Sequence, residues 1–195
     1  MDFELVNLDC PSCGSAMQAA PRDILYLCAH CGSGAVLADS GLETVTSTAL
    51  MPAPGRGARI WRPAWTIDAD VVIGDRTRYG GRRTPDQSRR QTFVIPAFSM
   101  PLPDFTRLAR ALTAASGTTG EVPKEHCTGG TLHLEDAHTL IRYLVVGAEV
   151  QKPDTLASVR VELTPVAHRL TAVPFTRDGR FLTCSITGVK VTEAD

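Results

Sequence analysis

The chain is poor in lysine, in long apolar runs and in the short motifs that announce a reaction. Lysine occurs three times against seventeen arginines, and the formal net charge of -1 leaves no overall cationic excess for nucleic acid. No run of about 18 apolar residues occurs, so no helical membrane span and no membrane insertion are expected. The opening residues MDFELVNLDC lack the basic start and apolar core of an export signal, and the closing VTEAD lacks a lipidation box. These features predict a cytoplasmic protein. A phosphate-loop lysine motif is missing, and Gly55-Arg-Gly57 follows MPAP instead of a strand and has no third glycine. No set of residues spells out catalysis.

What remains is ordinary in bulk, with 43% apolar and 21% charged residues among 195, as in a folded domain or a small module attached to a larger one. The charge is unevenly placed. Residues 1–50 sum to -5, residues 51–95 to +5 and the remainder to -1. An acidic head beside a basic belt implies internal pairing or a partner surface.

Six cysteines are present, and four of them form two C-x-x-C pairs: Cys10-Pro-Ser-Cys13-Gly, then fourteen residues, then Cys28-Ala-His-Cys31-Gly. Two cysteines at this spacing place both sulfurs about 2.3 Å from one ion across a tight turn. Gly14 and Gly32 stand where such a turn needs positive φ, and Pro11 fixes φ inside the first knuckle. The apolar run Ile24-Leu25-Tyr26-Leu27 leads into the second pair as a strand. A hairpin this small buries too little apolar surface to fold alone, so metal binding supplies its folding energy. A redox C-x-x-C occurs once, at the start of a helix, which does not describe this pattern. His30 would be a superfluous fifth ligand and reads as an exposed loop residue. The region resembles the zinc-ribbon family over about forty residues. That resemblance implies one structural Zn2+ held by Cys10, Cys13, Cys28 and Cys31, and says little about function, because ribbons serve in many processes. The spacing is also similar to rubredoxin-like modules, which hold iron for electron transfer. Those keep aromatic residues around the site, where only Tyr26 is near here.

Downstream, residues 38–58 are small, polar and rich in proline and glycine, and read as a linker with a possible strand at Glu43 to Thr48. Strands are expected at Ile60 to Ile67, Val71 to Ile73, Phe93 to Ile95 and 155–163. Residues 104–116 predict a helix capped by Asp104, with Phe105, Leu108 and Leu112 on one face. Residues 135–150 have helical spacing, although their β-branched content leaves a strand open. Asp178-Gly179 between apolar arms signals a hairpin. Trp65 to Val72 and Phe175 to Leu182 align weakly, which would make two related hairpins.

Two clusters invite chemistry. Arg76, Arg78, Arg82, Arg83, Arg89 and Arg90 surround Tyr79 and a Gly-Gly pair, and could contact phosphates or an acidic protein. His126, Cys127, His133 and His138 form a tempting second metal set. His133 and His138 are five apart, about 140° around a helix, which argues against shared ligation. Cys184 reads as a buried small apolar residue, and Glu135-Asp136 as acids at a helix start.

The expected fold class is α+β: a zinc ribbon over residues 1–37, a linker over 38–58, and a mixed, mostly antiparallel β domain with about two helices over 59–195. The expected function is that of a non-enzymatic accessory or adaptor protein working through protein–protein contacts. The alternatives are nucleic-acid binding through the arginine loop and electron transfer through iron.

Overall fold

Most of the chain alternates small, apolar and β-branched residues, a pattern that suits pleated strands. The computed structural model describes residues 8–53, 60–81, 83–115, 117–124 and 127–194, and these contain ten strands and two helices. Arg82, His126 and the Gly55-Arg-Gly57 stretch lie outside the described residues.

Strands β1 (Leu25–Leu27), β2 (Gly34–Ala38) and β3 (Gly41–Val45) make a small antiparallel sheet in that order. The second sheet contains β4 (Ser47–Met51), β5 (Ile60–Arg78), β6 (Gln87–Pro96), β7 (Thr118–Gly120), β8 (Leu156–Asp178), β9 (Phe181–Cys184) and β10 (Lys190–Thr192). β8 is its spine. It runs antiparallel to β5 along most of its length, while β4 pairs with it in parallel at Leu170–Ala172 and β9 folds back on it from Asp178. β5 pairs with β6 on its other side, and β7 lies beyond β4. Helix α1 (Leu102–Ala114) contacts β6 and β10, and α2 (Leu134–Val150) lies against β8 and β6. The fold is α+β with mostly antiparallel strands and two helices, as the sequence predicts.

Three elements differ from the sequence reading. β5 is one strand of 19 residues through Asp68 and Asp70, because both carboxylates find partners: Thr92 and Arg169 for Asp68, Arg90 for Asp70. The aligned segment Trp65 to Val72 is therefore mid-strand, whereas Phe175 to Leu182 is a hairpin turning at Gly179 with φ 58°. β8 is likewise continuous over 23 residues, since the register slips at Asp68/Ala69 and lets Pro165 sit beside a bulge that needs no ladder donor there. The stretch expected as a linker holds β3 and β4, and Ala49 of β4 is wholly buried between β7 and β8.

Helical periodicity decides both helices. Phe105, Leu108, Ala109 and Leu112 of α1 are buried, as are Ala137, Ile141, Leu144 and Val145 of α2. Pro101, not Asp104, precedes α1; Asp104 sits in the first turn and accepts from the Thr192 N–H at 2.7 Å. No helix of the described residues is long and apolar enough to cross a membrane.

Leu25 and Leu27 of β1 belong to the same apolar core as Trp61, Trp65, Ile67 and Ile141. A second cluster gathers Phe98, Leu108, Leu112, Val173, Phe175 and Leu182. The Ile24 and Leu25 N–H groups both donate to the Gly130 carbonyl, at 2.7 and 3.0 Å. Gly130 has to be glycine, because a Cβ there would meet the Ala97 carbonyl at 2.6 Å. The small sheet is thus joined to the rest of the fold by a shared core and by the isolated bridge between Leu25 and Gly130.

Candidate metal centre

The two cysteine knuckles share one backbone design. Cys10 N–H donates to the Ser15 carbonyl and the Cys10 carbonyl accepts from Gly14; Cys28 repeats this with Ser33 and Gly32. Gly14 and Gly32 take φ 72° and 80°, the left-handed region the sequence called for. In this way each C-x-x-C turns both sulfurs to one side. The four sulfurs lie within 4.8 Å of one another.

Two of the sulfur–sulfur separations, Cys10 to Cys31 and Cys13 to Cys28, are 3.7 Å. A tetrahedron with metal–sulfur bonds of about 2.3 Å has edges of about 3.8 Å, whereas a disulfide needs about 2.05 Å. The donor set therefore fits a metal ion and not a pair of disulfides. Cys10 and Cys28 are buried, while Cys13 and Cys31 face solvent. His30 is exposed beside them.

One further side chain serves the cluster. The Ser33 hydroxyl lies 3.2 Å from Cys10 Sγ and 2.9 Å from Cys31 Sγ. Burial works against ionising Cys10, yet hydrogen bonds, first among them that of Ser33, bring its thiol down to about 6. The same hydroxyl lowers Cys31. Burial pushes Cys28 up to about 12. A cation at the centre would override this split, because a coordinating thiol is deprotonated outright. The signal for Ser33 was in the sequence: both knuckles read Cys-x-x-Cys-Gly-Ser.

The arginine loop is a β5–β6 hairpin whose charges are largely spoken for. Arg76 is buried, with Nε donating to Glu149 at 2.8 Å and both terminal nitrogens to Asp154 at 2.8 and 2.5 Å. Arg78 reaches Asp154 at 2.5 Å, Arg83 reaches Asp75 at 2.6 Å, and Arg90 grips Asp70 through two bonds of 2.9 Å. Arg89 is exposed.

Of the second candidate cluster, the described members Cys127, His133 and His138 form no metal-ligand group. Among the described residues, the four cysteines are the one grouping of three or more possible ligands. His133 holds the N-cap position of α2 without a side-chain capping bond, and Cys127 donates its thiol hydrogen to the Pro123 carbonyl at 3.3 Å. His138 Nε2 is buried without a partner, and burial, then His168, holds that ring towards its neutral form. Cys184 is buried at 1% exposure, as a small apolar residue would be. Trp61 and Trp65 are core residues; the Trp65 indole N–H donates to the Leu132 carbonyl at 2.9 Å.

A half-open cavity of about 910 Å³ separates residues 18–23 from the large sheet. Arg62 lines it, lying 4.7 Å over the Phe98 ring and held by Thr128 and Glu193. Burial pulls this guanidinium down to about 10. No family model, no curated protein and no solved structure matches the chain.

Proposed function

We propose that this is a cytoplasmic, non-enzymatic adaptor whose ribbon is stapled by zinc and whose work is protein–protein contact. The convergence of four thiols into one tetrahedral cage carries this reading. Such a cage offers every coordination position to the protein and keeps none open for substrate or water. Its role is therefore to hold shape: the knuckle tips at Pro11, Ser12, Ala29 and His30 are exposed, and a bound ion fixes them rigidly enough to be recognised. Zinc is preferred to iron because rubredoxin-like sites keep several aromatic residues around the metal, and residues 8–37 hold one, Tyr26. The local acids that neutralise Arg76, Arg78, Arg83 and Arg90 count against nucleic acid as the partner.

The test uses the tagged full chain. Metal analysis should give one zinc per chain and a colourless protein. Recovery of one stoichiometric partner, lost with Cys28→Ser, supports the adaptor. Red protein whose visible absorption bleaches on reduction would establish iron instead. Binding to DNA or RNA that falls steeply with salt, and is abolished in an R83A/R89A/R90A variant, would replace the adaptor with nucleic-acid recognition.

A further inference from the structure

The β5–β8 ladder leaves one long edge of the large sheet open. β4 covers the outer side of β8 only from Leu170 to Ala172, and β9 covers it from Phe175 to Asp178. Among the described residues no strand pairs with the outer side of residues 156–169, whose inner side is held by β5. An exposed edge is a template for another strand, and soluble proteins commonly blunt one with lysine or an early bulge. This edge contains no lysine; the ladder slips opposite Leu156 to Arg160 and again beyond Pro165, and stays in register from Arg160 to Pro165. Ala157, Ser158, Arg160, Glu162 and Thr164 are exposed along it.

We propose that Ser158 to Thr164 pairs antiparallel with the same segment of a second copy of this chain, about a two-fold axis at Val161. The sequence Ser-Val-Arg-Val-Glu-Leu-Thr is self-complementary about that residue. The axis sets Arg160 of each copy against Glu162 of the other, Val159 against Leu163, and Ser158 against Thr164. Opposite charges, apolar pairs and hydroxyl pairs are the cross-strand neighbours that stabilise a sheet. An axis one residue away would oppose Arg160 to Arg160, or Glu162 to Glu162, so charge selects the register.

The two faces of the joint ladder also match. Val159 and Val161 are only partly buried and pack with Leu163 on the main core, so a second copy extends the apolar layer across the junction. Arg160 and Glu162 stand on the other face, 3.4 Å apart and 58% and 57% exposed. Arg160 also meets Asp75 of β5 at 3.2 Å, so its guanidinium would bridge that carboxylate and Glu162 of the second copy. An interface of this kind is isologous and closes at two copies.

Sedimentation and light scattering of the full chain should reveal a dimer that dissociates on dilution. Arg160→Glu alone, or Glu162→Arg alone, creates two like-charge contacts by symmetry and should weaken the dimer by about tenfold or more. The combined R160E/E162R variant restores opposite charges and should recover it. Circular dichroism melts establish that each variant is folded. Amide exchange of the 156–164 peptide should slow as protein concentration rises, a readout that needs no substitution. A monomer at every concentration, a dimer indifferent to the single variants, or a combined variant no tighter than the singles would overturn the proposal.

Discussion

At the scale of the residue, Ser33 distinguishes a metal cage from a set of neighbouring thiols. Its hydroxyl sits within 3.2 Å of two of the four sulfurs, one buried and one exposed. A hydrogen bond to a thiolate disperses its charge and fixes its direction, so removing the hydroxyl loosens the ion without removing a ligand. Outer-shell partners of this kind are worth about 10- to 100-fold in metal affinity. Ser33→Ala should therefore lose zinc to a chromogenic chelator at a concentration about 10- to 100-fold lower than wild type does, with an unchanged circular dichroism spectrum. Ser15→Ala, which leaves the carbonyl that holds Cys10 in place, should shift the competition less. Identical curves for wild type and Ser33→Ala would assign the hydroxyl no part in the site.

At the scale of the element, the buried ion cluster ties the end of β5 to the end of α2. Arg76 comes from the strand, Glu149 from the last turn of the helix, and Asp154 from the loop beyond it. Its hydrogen bonds, that of Arg76 above all, hold the Asp154 carboxyl at about 2, below the ordinary carboxylate range. Glu149 is also lowered, its bonds from Lys152 and Arg76 outweighing burial. Both folded-state values lie below the unfolded ones, so the unfolded chain binds protons first as pH falls. The stabilisation is complete above about pH 5 and disappears between about pH 4 and pH 2. The difference in Tm between wild type and Asp154→Asn should accordingly be constant near neutrality and shrink through that window; a pH-independent gap would sink this account. Taking the difference cancels the acid release of metal, which both proteins undergo. The cluster also marks how much the sequence can disclose. Cys10 to Cys31, the Asp178-Gly179 hairpin and the inward faces of both helices are local patterns, and all are legible. Arg76 lies 73 positions from Glu149, and no local rule separates a buried pinning arginine from a solvated one. The continuity of β8 through Pro165, and the burial of Ala49 in a stretch that reads as a linker, likewise depend on distant strands. Ser33 lay between these cases, visible in a repeated tripeptide, yet meaningful only once two knuckles face each other.

At the scale of the molecule, the decisive property is that the small sheet beside the four cysteines and the large sheet share one core. Leu25 is fully buried among Trp61, Trp65 and Ile141, and its N–H joins Ile24 in bonding to Gly130. A ribbon on a flexible tether would melt separately, with a low-temperature transition that moves with zinc while the rest stays put. Shared burial couples the two instead. Leu25→Ala removes apolar contacts in a site already closed on all sides, at a cost of about 2–5 kcal/mol to the whole fold. Its calorimetric trace should show one transition at lower temperature and no early shoulder. Stripping the ion should act through the same coupling, because anything bound only by the folded state stabilises that state as a unit. Chelation should move the main transition down, and stoichiometric zinc should restore it. The fluorescence of Trp61 and Trp65, buried next to Leu25 and Leu27, should report the same midpoint as far-ultraviolet circular dichroism. Two separated midpoints, with only the earlier one sensitive to zinc, would mean that the ribbon folds on its own and that the common core contributes little to holding it.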